Sequence, residues 1–148
     1  MIRLATQEDC LEIARLIQEY VQTMDVHHAK TSFSLRATTN LVFHCIKQGL
    51  AWVSEKDGKI VGSLFAQEQV NPFTDSSKEI HLVGFFVKPE HRKGTMGGRL
   101  LIAYDKECKS REDVKISWVG LQHTAEINKN SLEKLGYTLS ELTYKKEK

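Results

Sequence analysis

The sequence has few cysteines, few prolines and no long apolar run, and each absence excludes a class of protein. The three cysteines, Cys10, Cys45 and Cys108, are too widely spaced for a disulfide framework or a zinc motif. Two prolines and nine glycines are too few for a collagen-like or low-complexity segment. No run of about 18 apolar residues is present, and the N-terminus lacks a signal-peptide core. We therefore expect a protein of a reducing, cytoplasmic setting with no membrane partner.

The net charge of +2 is small but unevenly distributed. Residues 1–87 hold 8 basic and 10 acidic side chains, whereas residues 88–148 hold 13 and 9. A dedicated nucleic-acid-binding protein usually carries a large basic excess, so nucleic acid is a disfavoured partner. Four of the basic residues lie close together, between Lys88 and Arg99.

The hydrophobic pattern predicts one mixed α/β domain over residues 1–148, in the order β-α-α-β-β-β-α-β-α-β. An Asp57-Gly58 pair predicts a tight hairpin turn between the second and third strands. Gly84 interrupts the most hydrophobic strand and predicts a bulge or a close backbone approach. The predicted strands are 2–5, 50–55, 60–70, 78–87, 114–120 and 137–144, and the predicted helices are 6–24, 38–48, 98–109 and 124–135.

A turn rich in glycine and basic residues connects the buried strand ending at Val87 to the next helix. Unpaired N–H groups at a helix N-terminus carry the positive end of the helix dipole, and small residues let a phosphate approach them. The pattern predicts an anion site, most naturally for a diphosphate. The alternative is an ordinary glycine-rich turn with solvated lysines, which is the commoner outcome for an isolated loop. The segment reads Lys88-Pro89-Glu90-His91-Arg92-Lys93-Gly94-Thr95-Met96-Gly97-Gly98-Arg99.

This segment resembles motif A of the GNAT superfamily of N-acetyltransferases, in which a strand ending in Val is followed by Pro and by Arg/Gln-x-x-Gly-x-Gly/Ala opening a helix. The opening residues 2–9, the strand–Asp-Gly–strand unit and residues 132–137 are also similar to the family, and the element order matches over nearly the whole chain. The resemblance implies a single-domain GNAT-like α/β (α+β) fold, with a mixed central sheet of about six to seven strands flanked by about four helices. The motif positions that agree are Val87, Pro89, Arg92, Gly97, Leu100 and Leu101.

The resemblance also implies acetyl-CoA as the acetyl donor. The pantetheine arm would pair with the backbone of Phe85, Phe86 and Val87 like an added strand, where the fourth strand separates from the fifth. The pyrophosphate would lie on the loop amides of Arg92, Lys93, Gly94, Thr95, Met96, Gly97 and Gly98.

Three positions depart from the family pattern. Thr95 stands at the family's middle glycine, where its side chain either crowds the pyrophosphate or donates a hydrogen bond to it. Leu132 replaces the tyrosine that often protonates the leaving thiolate. The asparagine often found seven residues earlier is Ala125 here, and Asn128, on about the same helix face as Leu132, is the candidate substitute in cofactor binding.

Acetyl transfer to an amine needs a base that accepts a proton near neutral pH. Family members with a base on the motif A strand often have Glu or His there, so His81 is the candidate general base and Glu79 could act through water. The alternatives are a half-buried strand histidine and a solvated strand-end carboxylate. Regular alternation would place His81 on the face of Phe85 and Val87, and a bulge at Gly84 would reverse that.

The sequence thus predicts an N-acetyltransferase that acts directly on an amine of a small molecule or a protein. A second hypothesis is an acyl-CoA-binding module without turnover, which Thr95 and Leu132 favour. A third is a nucleic-acid-modifying protein on the same scaffold, which only the basic C-terminal half supports. No third ligand is spaced to form a metal site with His27 and His28, so no metal is expected. Phe73 is either an exposed lid over the acceptor or a tucked loop anchor, and a homodimer would be unsurprising.

Overall fold

A single five-stranded sheet forms the centre of the computed structural model, which describes residues 1–121, 127 and 129–148. The strands are β1 (Ile2–Leu4), β2 (Ala51–Lys56), β3 (Lys59–Val70), β4 (Lys78–Val87) and β5 (Val114–Trp118). The helices are α1 (Cys10–Val21), α2 (His27–Thr31), α3 (Leu35–Lys47), α4 (Met96–Ser110) and α5 (Lys129–Lys134), and single 3-10 turns lie at Gln7–Asp9 and Pro89–His91.

The strands lie side by side in chain order, and the sheet is mixed. Neighbouring strands from β1 to β4 are antiparallel, whereas β4 and β5 are parallel and are connected through α4. A parallel pair needs such a crossover because the chain must return to the same end of the sheet. This arrangement brings the C-terminal ends of β4 and β5 and the N-terminus of α4 to the same end of the strands.

The hairpin between β2 and β3 forms at the predicted turn. Asp57 and Gly58 both adopt positive φ, at 52° and 73°. Two successive residues with positive φ match the twist of the flanking strands, and Asp-Gly pairs adopt that conformation readily. The turn prediction is confirmed.

A bulge interrupts β4 at the predicted place. Phe65 of β3 faces Gly84, whereas the next residue, Ala66, faces Leu82, so Val83 is an extra residue without a partner in β3. Because one extra residue changes the alternation, side chains after the bulge point to the opposite face from those expected without it.

Two apolar cores cover the two faces of the sheet. Helices α1 and α3 pack on one face, in a core that includes Ile13, Val42 and Phe65. Helix α4 packs on the other, in a core that includes Leu100 and Tyr104. Ile80 before the bulge and Val87 after it both belong to the α4 core, whereas Phe86 belongs to the α1 core.

The element count differs from the prediction of six to seven strands and four helices, because the described residues form five strands and five helices. The segment 137–144, predicted as a last strand, forms none. Its Leu139, Leu142 and Tyr144 are 84%, 75% and 90% exposed. Alternating apolar residues form a strand only when a neighbouring strand pairs with their backbone, and no strand among the described residues pairs with this segment.

The extra helix is α2, which lies in the segment predicted as a loop and contributes no buried side chain, so hydrophobic periodicity could not indicate it. None of the helices in the described part of the chain is both long and apolar enough to cross a membrane. The three cysteines are buried free thiols. Burial raises the pKa of Cys45 to about 12 and of Cys108 to about 11, which favours packing over nucleophilic roles.

Candidate active site

Strands β4 and β5 part after a short parallel ladder. Their last paired residues are His81 and Trp118. The hydroxyl of Tyr104 lies there, 3.2 Å from the carbonyl oxygen of Ile80 and 2.9 Å from that of Trp118, and shares its single proton between them. Burial raises the pKa of Tyr104 far above its ordinary value, so the hydroxyl remains a donor. The side chain thus connects the two strands where their pairing ends.

A groove of about 650 Å³ borders the C-terminal half of β4. One end reaches Gly97 at the start of α4, and the other reaches Tyr20 and Met24 at the end of α1. The lining is largely apolar, with Arg92 as its only charged side chain among the described residues. The β4 residues that line it are Leu82, Val83, Phe85, Phe86 and Val87.

Unpaired backbone donors lie at the Gly97 end of the groove. The first backbone hydrogen bond into α4 runs from the N–H of Arg99 to the carbonyl oxygen of Thr95, 2.9 Å away. Within the described residues, the N–H groups of Met96, Gly97 and Gly98 have no acceptor. Thr95 is exposed, and its side chain makes no capping hydrogen bond. The predicted anion-binding feature, free amides at the N-terminus of a 15-residue helix, is therefore present.

Open space lies beside these amides. A Cβ on Gly97 would come no closer than 3.5 Å to Phe85 and a Cβ on Gly98 would meet nothing within 4 Å, whereas one on Gly94 would lie 3.7 Å from the His91 carbonyl oxygen. Packing within the protein therefore does not require glycine at these positions. The space and the free donors fit a diphosphate, which needs close access to backbone N–H groups.

Arg92 is held over the groove. Its Nε donates to the carbonyl oxygen of Val87 at 2.8 Å, and its guanidinium carbon lies 5.1 Å from the centre of the Phe86 ring. The ring of Tyr20 packs against the same Phe86 at 5.1 Å between centroids. The stack places a fixed positive charge between the glycine-rich loop and the α1 end of the groove. Lys93, by contrast, is exposed.

His81 and Glu79 lie together on β4, just before the residues of that strand that line the groove. The Nε2 atom of His81 is 3.1 Å from Oε2 of Glu79, and their side chains are 36% and 9% exposed. The indole N–H of Trp118 donates to the same Oε2 at 3.1 Å, and the amide of Asn71 donates to Oε1. These hydrogen bonds hold the pKa of Glu79 below its ordinary value. The bond with His81 is the largest cause, and those from Asn71 and Trp118 contribute less. Glu79 is therefore a buried, hydrogen-bonded carboxylate and not a solvated one.

The bulge decides which face His81 occupies. With Val83 as an extra residue, His81 shares the face of Phe86, on the α1 side, and not that of Phe85 and Val87. The ring stacks on Trp118 with centroids 5.7 Å apart and an interplanar angle of 22°. The groove lining on β4 begins with the two residues that follow His81, Leu82 and Val83.

The remaining predicted site residues lie outside the groove and the His81–Glu79 pair, or outside the described part of the chain. Asn128 and Ala125 lie outside the described residues. Leu132 is half-buried and packs against the α4 core, so its present role is packing. Phe73 is 94% exposed, which excludes the tucked anchor. His27 lies in the short helix α2, and the described residues contain no group of three or more metal-ligating side chains.

Two residues of the cluster were not indicated by the sequence. Asn71 follows the end of β3 in a segment that reads as an ordinary Asn-Pro loop, and Trp118 reads as a buried strand residue. Only the order and register of the strands connect them with His81. Trp118 ends β5, which pairs with β4, and Asn71 begins the loop that leads from β3 to β4.

Comparison with known proteins shows which family has this sequence pattern and which solved structures have this fold. The model of the acetyltransferase (GNAT) family matches residues 13–137. A GCN5-related N-acetyltransferase from Ralstonia eutropha JMP134 is 15% identical and has a TM-score of 0.75, with 99% of this chain and 97% of that chain covered. No curated protein matches the chain in sequence.

Two further solved structures carry more specific names. A ribosomal-protein-alanine N-acetyltransferase from Brucella melitensis biovar Abortus 2308 is 16% identical, with a TM-score of 0.68 and 99% of both chains covered. An aminoglycoside N-acetyltransferase, AAC(6')-Iy, solved in complex with CoA, is 17% identical, with a TM-score of 0.66 and 100% of this chain and 98% of that chain covered. At these identities the similarity shows a shared fold alone.

Proposed function

Because the chain belongs to the GNAT acetyltransferase family, we propose that it is an N-acetyltransferase that transfers the acetyl group of acetyl-CoA to an amine. One observation carries the proposal: the groove extends along β4 from Leu82 and Val83, which directly follow His81, to Gly97 among the free amides at the start of α4. A cofactor site and a candidate base at one groove are what direct transfer between two bound molecules requires.

The glycine-rich loop supplies the cofactor site. Acetyl-CoA, when bound, supplies an activated thioester and a diphosphate. The free amides at the start of α4 would hold that diphosphate, and Arg92, bound to the Val87 carbonyl oxygen, would add a positive charge in the same groove. Phe85, Phe86 and Val87 line the groove and lie beyond the last residue of β4 that pairs with β5, so we propose that an extended ligand pairs with this part of β4 as an added strand. The loop residues proposed to take part are Arg92, Lys93, Gly94, Thr95, Met96, Gly97 and Gly98.

His81 supplies the base. A protonated amine cannot attack a carbonyl, so a group at the acceptor end must accept its proton, and imidazole does so near neutral pH. Glu79 holds the ring through Nε2. A backbone N–H at Phe86 or Val87 is the candidate donor to the thioester oxygen. Departure of the thiolate needs no assigned side-chain acid, since water can protonate it.

The acceptor is an amine of a small molecule or of a protein. The named structural neighbours act on an aminoglycoside and on a ribosomal-protein alanine, and these two amine classes are the first acceptors to test. The competing hypothesis is an acyl-CoA-binding module on the same fold, and Leu132 in place of the usual tyrosine favours it.

Two measurements separate these hypotheses. Acetyl-CoA should raise the melting temperature of the purified protein, because a ligand that binds only the native state stabilises it. Release of free CoA thiol should then be measured with a panel of amines that includes aminoglycosides, polyamines and peptides with free N-termini. Turnover with any amine supports the enzyme, and a thermal shift without turnover supports the module. No shift at millimolar acetyl-CoA would overturn both.

A further inference from the structure

We propose that Asn71 and Trp118 are positioning residues for His81: together they fix the carboxylate of Glu79 so that it holds Nε2–H of His81 and leaves Nδ1 as the proton-accepting atom. The role of Nδ1 in transfer rests on the proposed function, whereas the hydrogen-bond arrangement does not.

The orientation of the Asn71 amide is determined on both sides. Its Oδ1 accepts the backbone N–H of Phe73 at 2.8 Å. The amide nitrogen is therefore the end that faces Glu79, and it donates to Oε1. The loop around it is itself held closed, because the N–H of Asn71 donates to the carbonyl oxygen of Ser77 at 2.9 Å. Asn71 thus fixes one carboxylate oxygen from a loop with internal hydrogen bonds.

Trp118 fixes the other oxygen. An indole N–H can only donate, and it donates to Oε2 of Glu79 at 3.1 Å. Trp118 also stacks on the His81 ring, so one side chain sets both the carboxylate oxygen and the plane of the imidazole. This is possible because Trp118 and His81 are register partners at the last pair of the β4–β5 ladder.

The protonation pattern of the ring follows from the donor count. An ionised carboxylate has no proton to donate, so the 3.1 Å contact between Oε2 and Nε2 requires the proton on Nε2. The lowered pKa of Glu79 agrees with an ionised group at neutral pH. In neutral His81 the free lone pair is then on Nδ1. Among the described residues, the hydrogen bond of the ring is made through Nε2, and none is made to Nδ1. Asn71 acts on the base only through Glu79, whereas Trp118 acts through Glu79 with its indole N–H and directly on the ring by stacking.

The arrangement is tested without activity by NMR of the ¹⁵N-labelled full chain. The His81 ring signals are assigned by their loss in His81→Gln, and the Trp118 indole signal by its loss in Trp118→Phe. Above the pH at which histidine titrates, we expect Nε2 to carry the proton and the Trp118 indole N–H to exchange slowly. In Asn71→Ala the freed carboxylate should let the indole N–H exchange faster. A proton on Nδ1, or indole exchange unchanged in Asn71→Ala, would overturn the proposal even if the protein proved to be no enzyme.

The kinetic test is a double-mutant cycle with the amine found in the panel. Asn71→Ala and Trp118→Phe should each lower kcat about tenfold, with KM for acetyl-CoA nearly unchanged. In a Glu79→Gln background neither change should lower kcat further, since each removes a donor to that carboxylate and phenylalanine at position 118 keeps an aromatic ring to stack on His81. Asn40→Ala, on the exposed face of α3, is the matched control and should leave kcat unchanged. Equal losses in the unmodified and the Glu79→Gln backgrounds would show that the two residues act by general stability and would overturn the positioning role.

Discussion

The Phe65 ring lies against the backbone of Gly84, at the bulge of β4. A Cβ built on Gly84 would come within 2.2 Å of Cζ of Phe65 and 2.4 Å of its Cε1. Phe65 is 2% exposed and belongs to the α1 core, so the ring has little room to retreat. The absence of a side chain at Gly84 therefore lets the Phe65 ring approach the backbone closely. The packing of this ring in the α1 core helps to hold the bulge in place.

The first prediction concerns this contact. Gly84→Ala should lower the free energy of unfolding by roughly 1–3 kcal/mol, because the added methyl group must displace a buried ring. Urea unfolding followed by circular dichroism measures the change. The matched variant is Gly98→Ala, where nothing lies within 4 Å and alanine favours the helix, so stability should stay level or rise. If Gly84→Ala were as stable as the unmodified protein, the ring contact would not constrain the bulge.

The bulge also shows which parts of the site the sequence could predict. Gly84 indicated a bulge and Asp57-Gly58 a turn, since each depends on local backbone preferences. The face of His81 stayed open, because Gly84 fitted either a bulge, which reverses the face, or a close backbone approach, which does not, and only the pairing with β3 shows that Val83 is an extra residue. The glycine-rich loop was predictable because its donors belong to one continuous segment.

The hydrogen-bond partners of Glu79, which lie far from it in the sequence, could not be predicted either. Trp118 and Asn71 meet Glu79 through strand register and loop closure, which no spacing in the sequence encodes. The predicted strand at 137–144 was wrong because alternation describes one strand alone, whereas a strand also needs a partner. Within that segment only Tyr137 packs inward, with its hydroxyl 3.2 Å from that of Ser117.

The second prediction concerns the cofactor loop. Gly97→Ala should fold normally, since its Cβ would make only an ordinary 3.5 Å contact with Phe85. The methyl group would project beside the free amides, so the binding free energy of acetyl-CoA should weaken by roughly 1–3 kcal/mol, which is a loss of affinity of about 5- to 150-fold. Isothermal titration calorimetry measures the affinity. Thr95→Gly is the paired variant and should keep or improve binding, because the Thr95 side chain caps nothing in the fold. Unchanged affinity in Gly97→Ala would place the diphosphate elsewhere.

A third prediction concerns the junction of β4 and β5. Tyr104→Phe removes the donor shared by two carbonyl oxygens, so the buried acceptor at Ile80 and the part-buried acceptor at Trp118 each lose this hydrogen bond. We expect a loss of roughly 1–2 kcal/mol of unfolding free energy. Thermal and urea unfolding should agree on its size. Tyr144→Phe, at a side chain 90% exposed, serves as the control and should change nothing. A Tyr104→Phe protein of full stability would mean that the hydroxyl does not hold the strands together.

The fourth prediction concerns acid stability and the pair of Arg3 and Asp9. The Arg3 guanidinium binds both carboxylate oxygens of Asp9, at 2.7 and 3.0 Å, and the N–H of Thr6 donates to the same group at 2.7 Å. The bond with Arg3, more than any other cause, lowers the pKa of Asp9 from 3.8 to about 2. Because the native state favours the ionised form, the stabilisation is complete above pH 3.8 and is lost as the pH falls toward 2.

Asp9→Asn should therefore be less stable than the unmodified protein at pH 6, by roughly 1–2 kcal/mol, and the difference should shrink as the pH is lowered from about 4 to about 2. Urea unfolding at a series of pH values measures it. Asp113→Asn is the control: that carboxylate pairs with Lys78, but its side chain is 54% exposed, so solvent screening should leave the stability of this variant close to that of the unmodified protein at every pH. A difference for Asp9→Asn that stayed constant down to pH 2 would show that the asparagine disturbs packing or the Thr6 contact, and that the ionised pair with Arg3 is not the source of the stability.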